Sequence, residues 1–413
     1  MTNISKTTLG KLIEFQRGYD LPKSEMIDGI YPVRSSNGIL GYHNEYKTEG
    51  PGITIGRSGT VGIPHLIKTN FYPHNTSLFI KDFKGNDVSY IFYLLKNLKL
   101  GNRGSGSGVP TMNRNHLHPL DILAHLELST QKQIAKVLSD LDAKIEVNNK
   151  INKELEAMAK TLYDYWFVQF DFPYDFEKGK PDINGKPYKS SGGKMVYNEE
   201  LKREIPEGWE VGSLLDIANF QNGLACQKYR PIDDNHLPVI KIREMRDGFT
   251  ENTEKVRVDV PDRIKVYDGD ILFSWSASLE VIIWTGGNGA LNQHIFKVTS
   301  DDYPKSYYYF ELLNYLEHFK MIADLRKTTM GHITQDHLKQ SRIVIPTKMI
   351  CEELENKINP ILKSIISNNQ QNQKLSELRD WLLPMLMNGQ VSVGEAEENL
   401  GMVAEERGKY NNV

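Results

Sequence analysis

What most restricts the fold of this chain is a heptad pattern that occurs twice with its register unbroken. Ile134, Leu138, Leu141, Ile145, Leu155, Met158 and Leu162 recur in steps of three and four or their sums, the seam of a coiled coil. Leu354, Ile358, Ile361, Ile365, Leu375, Leu378 and Leu382 repeat that pattern 220 residues later at every position. A loop tolerates insertions, whereas one extra residue in a seam turns the apolar stripe by about 100°. Asn148 and Asn368 hold matched seam positions, where a polar residue costs stability but fixes register. The two helices are therefore expected to pair with each other. The alternative, two amphipathic helices each packed on its own domain, is disfavoured by the constant offset and the matched asparagines. One heptad added to both helices, between Leu155 and Met158 and between Leu375 and Leu378, keeps the seam in phase.

The segments before the two helices are also duplicated. "LGKLIEFQRG" (9–18) matches "LLDIANFQNG" (214–223), "ITIGRSG" (53–59) matches "ILFSWSA" (271–277), "NTSLF" (75–79) matches "NQHIF" (292–296), and "SYIFYLLKN" (89–97) matches "YYYFELLNY" (307–315). Order is kept while the offset drifts, as expected of two copies of one domain that differ by loop insertions. Short β-branched or aromatic runs punctuated by glycine predict strands and turns, and helical patterns at 88–99 and 306–322 make each copy α+β. The organisation reads as a first α+β domain (1–128), a helix (129–165) with Ser129 as N-cap, a connector (166–206), a second α+β domain (207–348), a helix (349–388) and an acidic, disordered tail (389–413).

Within the connector, 178–194 is rich in Gly, Pro, Ser and Lys and reads as a solvated linker. Just before it, "YDYWFVQFDFPYDF" (163–176) crowds eight aromatics together. They either cap the coiled coil or form a docking surface for another subunit, with Trp166, Phe167, Phe170 and Phe172 as the anchors.

Composition excludes several classes. Of 413 residues, 39% are hydrophobic and 25% charged, which is ordinary globular usage, and no N-terminal run resembles a signal peptide or membrane span. The expectation is a cytoplasmic protein. Cys226 and Cys351 lie in no metal-binding spacing and read as reduced thiols. No phosphate-cradling loop occurs, since Gly193-Lys194 leads into Met195. "NPI" (359–361) lacks the rest of an amino-methyltransferase signature and falls in the heptad helix. Asp262 and Lys265 lack the further acid that a nuclease metal needs. No catalytic residue, metal site or cofactor is expected.

Polar side chains in the turns suit base edges and phosphates, although turns are polar in any protein. In the first copy they are Arg17, Ser35, Ser36, Asn37, Arg57, Ser58 and Thr60; in the second, Lys241, Arg243, Arg246, Ser274, Trp275 and Ser276. A loop before each long helix adds more. "RGSGSGVPTMNRNHL" (103–117) contains no acid and offers Arg103, Ser105, Ser107, Thr111, Asn113 and Arg114; its counterpart at 326–338 offers Lys327, Thr328, Thr329, His332 and Thr334. Glycine and serine let backbone N–H groups approach a phosphate; the alternative is a mobile link to the helix. His116 and His337, matched at the loop ends, also suit a structural role.

With "FQRG" and "FQNG" openings, "GDILFSWSAS", "NGKPYKSSGGK" and "IPEGWE" before the second copy, the chain resembles the specificity subunit of type I restriction–modification systems over about residues 5–390. The resemblance implies two target-recognition domains, each reading half of a bipartite double-stranded DNA sequence, and two helices forming an antiparallel coiled coil that sets their separation. It also implies two methyltransferase subunits, which would bind S-adenosylmethionine, and ATP-dependent restriction subunits in the full complex, with no chemistry by the chain itself. A coiled-coil scaffold without DNA specificity and a metal-dependent endonuclease are the rival readings. The first copy lacks the "IPEGWE" lead-in, so its N-terminal strand is expected to be short or absent.

Overall fold

The computed structural model describes residues 4–103, 111–325 and 332–396, with the side chains of residues 102, 103 and 325 left aside. The chain forms two units, Met1–Ile145 with Lys374–Val413, and Glu146–Gln373. Each long helix thus contributes to both units, instead of standing apart from the α+β domains as the sequence boundaries place it.

In the first unit a four-stranded antiparallel sheet runs in the order Glu14–Arg17, Ser77–Asp82, Gly52–Gly56, Pro64–Ile67. A three-stranded sheet joins Gly38–His43, Tyr31–Ser35 and Tyr72–Pro73, the last pairing parallel. The second unit repeats this topology with one strand more, Lys265–Val266, at the edge of the second sheet. Asn219–Asn222, Ile295–Thr299, Ile271–Ser274 and Glu280–Ile283 form the antiparallel sheet, and His236–Ile240 lies parallel to Gly289–Leu291 in the other. Gly52–Gly56 and Ile271–Ser274 are buried along their whole length, so apolar runs, not alternation, mark them in the sequence.

Register corrects one repeat match. Gln16 lies opposite Phe79 and Gln221 opposite Lys297, so Ser77 corresponds to Ile295, one residue away from the alignment of "NTSLF" with "NQHIF". Strands buried on both faces carry no alternation by which letters alone could fix register. The N-terminal strand is likewise neither short nor absent. Ile4–Thr8 pairs over five residues with Asp121–His125, whereas Glu210–Gly212 pairs over three with Ile343–Ile345. Ladder bonds are made by backbone, and the β-branched "ISKTT" supplies an extended strand without the lead-in.

The long helices are Leu128–Tyr163, followed by a π-helical turn Asp164–Val168, and Lys348–Met387. The first begins before Ser129: the Glu127 carbonyl already accepts from the Gln131 N–H at 3.0 Å, so Ser129 sits inside the first turn instead of capping it. Ile134, Leu138 and Leu141 are buried, as are Leu354, Ile358, Ile365 and Leu382. Met158 departs from the expected seam. It is 58% exposed, and Ala159, fully buried, takes its place, because the seam steps from Asn148 to Asn152 to Leu155 to Ala159.

In the second unit the helices meet through asparagines. Asn148 donates to Gln371 (2.6 Å) and Asn372 (2.8 Å); Asn152 donates to Asn369 (2.7 Å) and accepts from Asn368 (2.8 Å). Partner numbers fall as the first helix rises, so the pairing is antiparallel. The contacts are also symmetric. Exchanging each residue for its counterpart 220 residues away turns the pair Asn148–Asn372 into Asn368–Asn152, which is the other pair. In the first unit the same antiparallel sense brings Arg379 to Asp142 (2.7 Å) and the Leu386 carbonyl to His125 Nε2 (3.0 Å).

The docking role expected for Trp166, Phe167, Phe170 and Phe172 is not open to them, since all four are at most 4% exposed in the core of the second unit. Phe172 stacks on Tyr188 (4.7 Å between centroids) and Trp209 (5.2 Å), and Arg203 covers the Phe170 ring at 5.0 Å. The connector is folded as well. Pro173–Asp175 pairs with Lys180–Pro181 and Lys186–Pro187, Met195–Asn198 pairs with Arg203–Pro206, and Ser190 donates twice to Asp171 (2.7 and 2.6 Å). Short ladders satisfy a Gly/Pro/Lys-rich backbone that the aromatics anchor. The start of the tail is ordered too. Ser392 and Glu395 form a capping box (2.7 and 3.3 Å), and Ala396 is fully buried; residues 397–413 lie outside the described residues.

One core contact makes stability depend on pH. The Tyr163 hydroxyl donates to Glu311, and burial pushes the Glu311 carboxyl up to about 7, opposed by that hydrogen bond and by Arg203. Between about 4.5 and 7 the unfolded chain is ionised at this site while the folded chain keeps its proton. Folding stability therefore falls as pH rises through this window, by on the order of 3 kcal/mol. Glu311→Gln is expected to remove that fall: denaturant titrations should show the variant gaining on the natural protein between pH 4.5 and 8. Parallel pH profiles for the two proteins would refute it.

Candidate nucleic-acid interface

Each unit gathers the turns that the sequence singled out onto one backbone frame. In the first, the Arg57 N–H donates to the Thr76 carbonyl (2.8 Å), and the Arg57 carbonyl accepts from the Met112 N–H (2.8 Å). Ser58 bridges to Thr111, the Ser36 N–H donates to Thr76 Oγ1 (3.3 Å), and the His74 N–H donates to the Arg34 carbonyl (2.9 Å). Four segments, near residues 34–37, 57–60, 74–77 and 111–114, thereby converge.

The second unit builds the same frame. The Trp275 N–H donates to the His294 carbonyl (3.2 Å), the Trp275 carbonyl accepts from Ile333 (2.9 Å), and the Asn292 N–H donates to the Ile240 carbonyl (3.0 Å). The glycine that ends "FQRG" and "FQNG" has a steric reason. A Cβ on Gly18 would lie 2.1 Å from the His74 carbonyl oxygen, and one on Gly223 would lie 2.2 Å from that of Asn292. Only glycine lets this turn close onto the frame.

Side chains on the frame then sort by exposure and partner. Ser36, Ser274 and Ser276 are at most 5% exposed, and the Ser274 hydroxyl is bound to the Ser278 carbonyl (2.5 Å). These three hold the turns together and do not face a ligand, which corrects their assignment to base reading. Asn113 caps a short helix by accepting from the Asn115 N–H (3.0 Å), and the Thr334 N–H donates to His337 Nδ1 (3.0 Å) in a capping arrangement; His116 is exposed. Arg17 pairs with Asp20 (2.9 Å), Lys241 with Glu254 (2.5 Å), Arg243 with the buried Glu244 (2.6 Å), and Arg246 with Glu280 through its Nε (2.6 Å). A carboxylate already at hand cancels most of what such a cation offers a phosphate.

Ser35, Asn37, Arg57, Ser58, Thr60, Thr111 and Arg114 remain at least partly accessible in the first unit, as do Trp275 and His332 in the second. The Arg103 side chain, Ser105, Ser107, Lys327, Thr328 and Thr329 lie outside the described residues. Sequence reading missed Asn75 and His294, which stand on the frame, and Arg263, which lines a groove of about 560 Å³ with Asn219, Gln221, Lys297, Thr299 and Gln335 and no carboxylate. The repeated "NTSLF" and "NQHIF" strings carried a signal for the first two. Arg263 stands within "PDRIK", a string that carries no sign of the groove it lines.

A duplicated α+β frame with solvent-facing polar turns and two paired helices defines a class of two-domain recognition proteins. The family model described as the type I restriction modification DNA specificity domain matches residues 1–157 and again 206–378. The chain belongs to this family and is a specificity subunit of a type I restriction–modification system, with a non-catalytic role in DNA recognition. It is similar to the type I restriction enzyme MjaIX specificity subunit of Methanocaldococcus jannaschii, 27% identical over 74% of this chain and 69% of that one. The HindI specificity subunit of Haemophilus influenzae is 25% identical over 63% of this chain and 67% of its own. In fold the chain resembles the crystal structure of a type I restriction–modification S subunit from M. genitalium, with a TM-score of 0.59 at 14% identity, covering 94% of this chain and 96% of that one. Among the described residues no group of three or more His, Cys, Asp and Glu could hold a metal ion, and no helix is long and apolar enough to cross a membrane.

Proposed function

We propose that the chain reads a bipartite double-stranded DNA target, one half-site per unit, while the antiparallel helices set the spacer between the halves. The observation that carries this reading is the frame built twice with different side chains on it: two copies of one reader suit two half-sites of different sequence. A scaffold without DNA specificity would have no use for a duplicated polar frame.

The chemistry belongs to partners. Two methyltransferase subunits, which bind S-adenosylmethionine, assemble on this chain, and ATP-dependent restriction subunits join for cleavage. With the aromatics of 166–172 buried, the docking face moves to Val147, Ile151 and Met158, 43–58% exposed along one side of the first long helix, spacing that suits a helical partner. The protein works in the cytoplasm, where the DNA is.

Exchanging residues 1–128 for the equivalent region of a relative is expected to change one half of the modified sequence and leave the other half and the spacer intact. Mapping methylated bases in cells that carry the exchanged subunit with its methyltransferase reads this directly. A change in both halves, or in neither, would sink the assignment of one half-site to each unit.

A further inference from the structure

Position 57 in the first unit and position 275 in the second are the same place in the frame. Each lies at the end of a fully buried strand, gives its N–H to the turn before the neighbouring strand, and accepts through its carbonyl from the segment that leads to the long helix. Backbone pinned on both sides fixes where the side chain starts, so that little ordering remains to be done on binding. The frame is constant; the residue on it is not. Arg57 stands in one copy and Trp275 in the other.

The chemistry around each residue differs accordingly. Arg57 is half-buried and, among the described residues, makes no ion pair and no side-chain hydrogen bond. In the same unit Arg17 and Arg379 are held by Asp20 and Asp142. Beside it on the frame, Ser58 bridges Thr111, and Asn37 lies next to Gly59, 3.6 Å from where a Cβ there would stand. Trp275 gives its one donor, the indole N–H, to Asn222 (3.1 Å), and its ring lies 5.5 Å from that of His294, 5.5 Å from that of His332 and 5.9 Å from that of Phe296.

A residue that grips phosphate meets the same backbone in every DNA, so a phosphate-binding position is expected to keep a free donor in both copies. A position that keeps its backbone and changes its side chain from guanidinium to indole is suited to distinguishing bases. Resting on the half-site reading above, we propose that position 57/275 is a base-reading position in both units, and that Arg57 selects a guanine through paired hydrogen bonds to O6 and N7 in the major groove. Trp275, with no free donor, presents an aromatic surface and selects no guanine at the equivalent base pair.

The test uses the full chain in complex with its methyltransferase and a library of DNA targets with every half-site position varied. Arg57→Ala is expected to abolish the guanine preference at one position of one half-site, a loss of roughly 10- to 100-fold in discrimination. Arg57→Gln is expected to shift that position toward adenine, whose N6 and N7 a glutamine amide matches. Trp275→Ala should alter only the other half-site. Unfolding curves that overlay those of the natural complex exclude misfolding as the cause, and Arg57→Gln keeps the question open to refutation if the alanine variant is unstable. A uniform weakening across all sequences with a shallower salt dependence would mark Arg57 as a phosphate contact and overturn the proposal, as would unchanged selection at every position. The 1–128 exchange run in parallel separates the two levels: if it changes one half-site while Arg57→Ala changes none, this inference falls and the half-site reading stands.

Discussion

Lengthening the two long helices by one heptad at facing positions is expected to move the half-sites about three base pairs apart without changing either sequence. Seven residues add ~10 Å of helix, and base pairs are spaced by ~3.4 Å. The places for insertion follow from the antiparallel pairing. Asn152 meets Asn368 and Asn369, so an insertion after Lys153 in the first helix faces one after Ile366 in the second, and both leave the asparagine cluster whole. Insertions at positions equivalent in the repeat, near Leu155 and Leu375, would shift Asn148 by a heptad against Asn372 and break the contacts that hold register. Equivalence along a sequence and opposition across an antiparallel pair are different relations. Mapping of methylated sites would report the spacer. A folded variant that still selects the original spacing shows that the helices do not act as the ruler.

Phe172→Ala is expected to destabilise the second unit by about 3–5 kcal/mol, the usual consequence of emptying a buried aromatic site. The ring is 2% exposed and stacks on both Tyr188 and Trp209, so its removal unseats the connector and the rings beside it. Chemical denaturation should show the midpoint falling. Binding of the methyltransferase, measured at low temperature where the variant is folded, should be close to unchanged. Should stability hold while the methyltransferase no longer co-purifies, the aromatics would be docking anchors after all, and the burial argument would fail.

The sequence by itself determined the duplication, the α+β character of each copy and both long helices to within a few residues, since these rest on order, spacing and periodicity, which are local. Tertiary structure decided what periodicity leaves open. Eight aromatics crowded into residues 163–176 look alike whether they cover a partner or fill a core; only the arrival of Tyr188, Trp209 and Arg203 from elsewhere in the chain shows that they fill a core. Serines and basic residues in turns look equally available. Ser36, Ser274 and Ser276 turn out buried, and Lys241, Arg243 and Arg246 turn out matched by Glu254, Glu244 and Glu280. Arg57 has no ion pair among the described residues. Composition places these charges in the chain, but Coulomb attraction depends on distance, and distances between residues far apart in sequence exist only once the frame has closed.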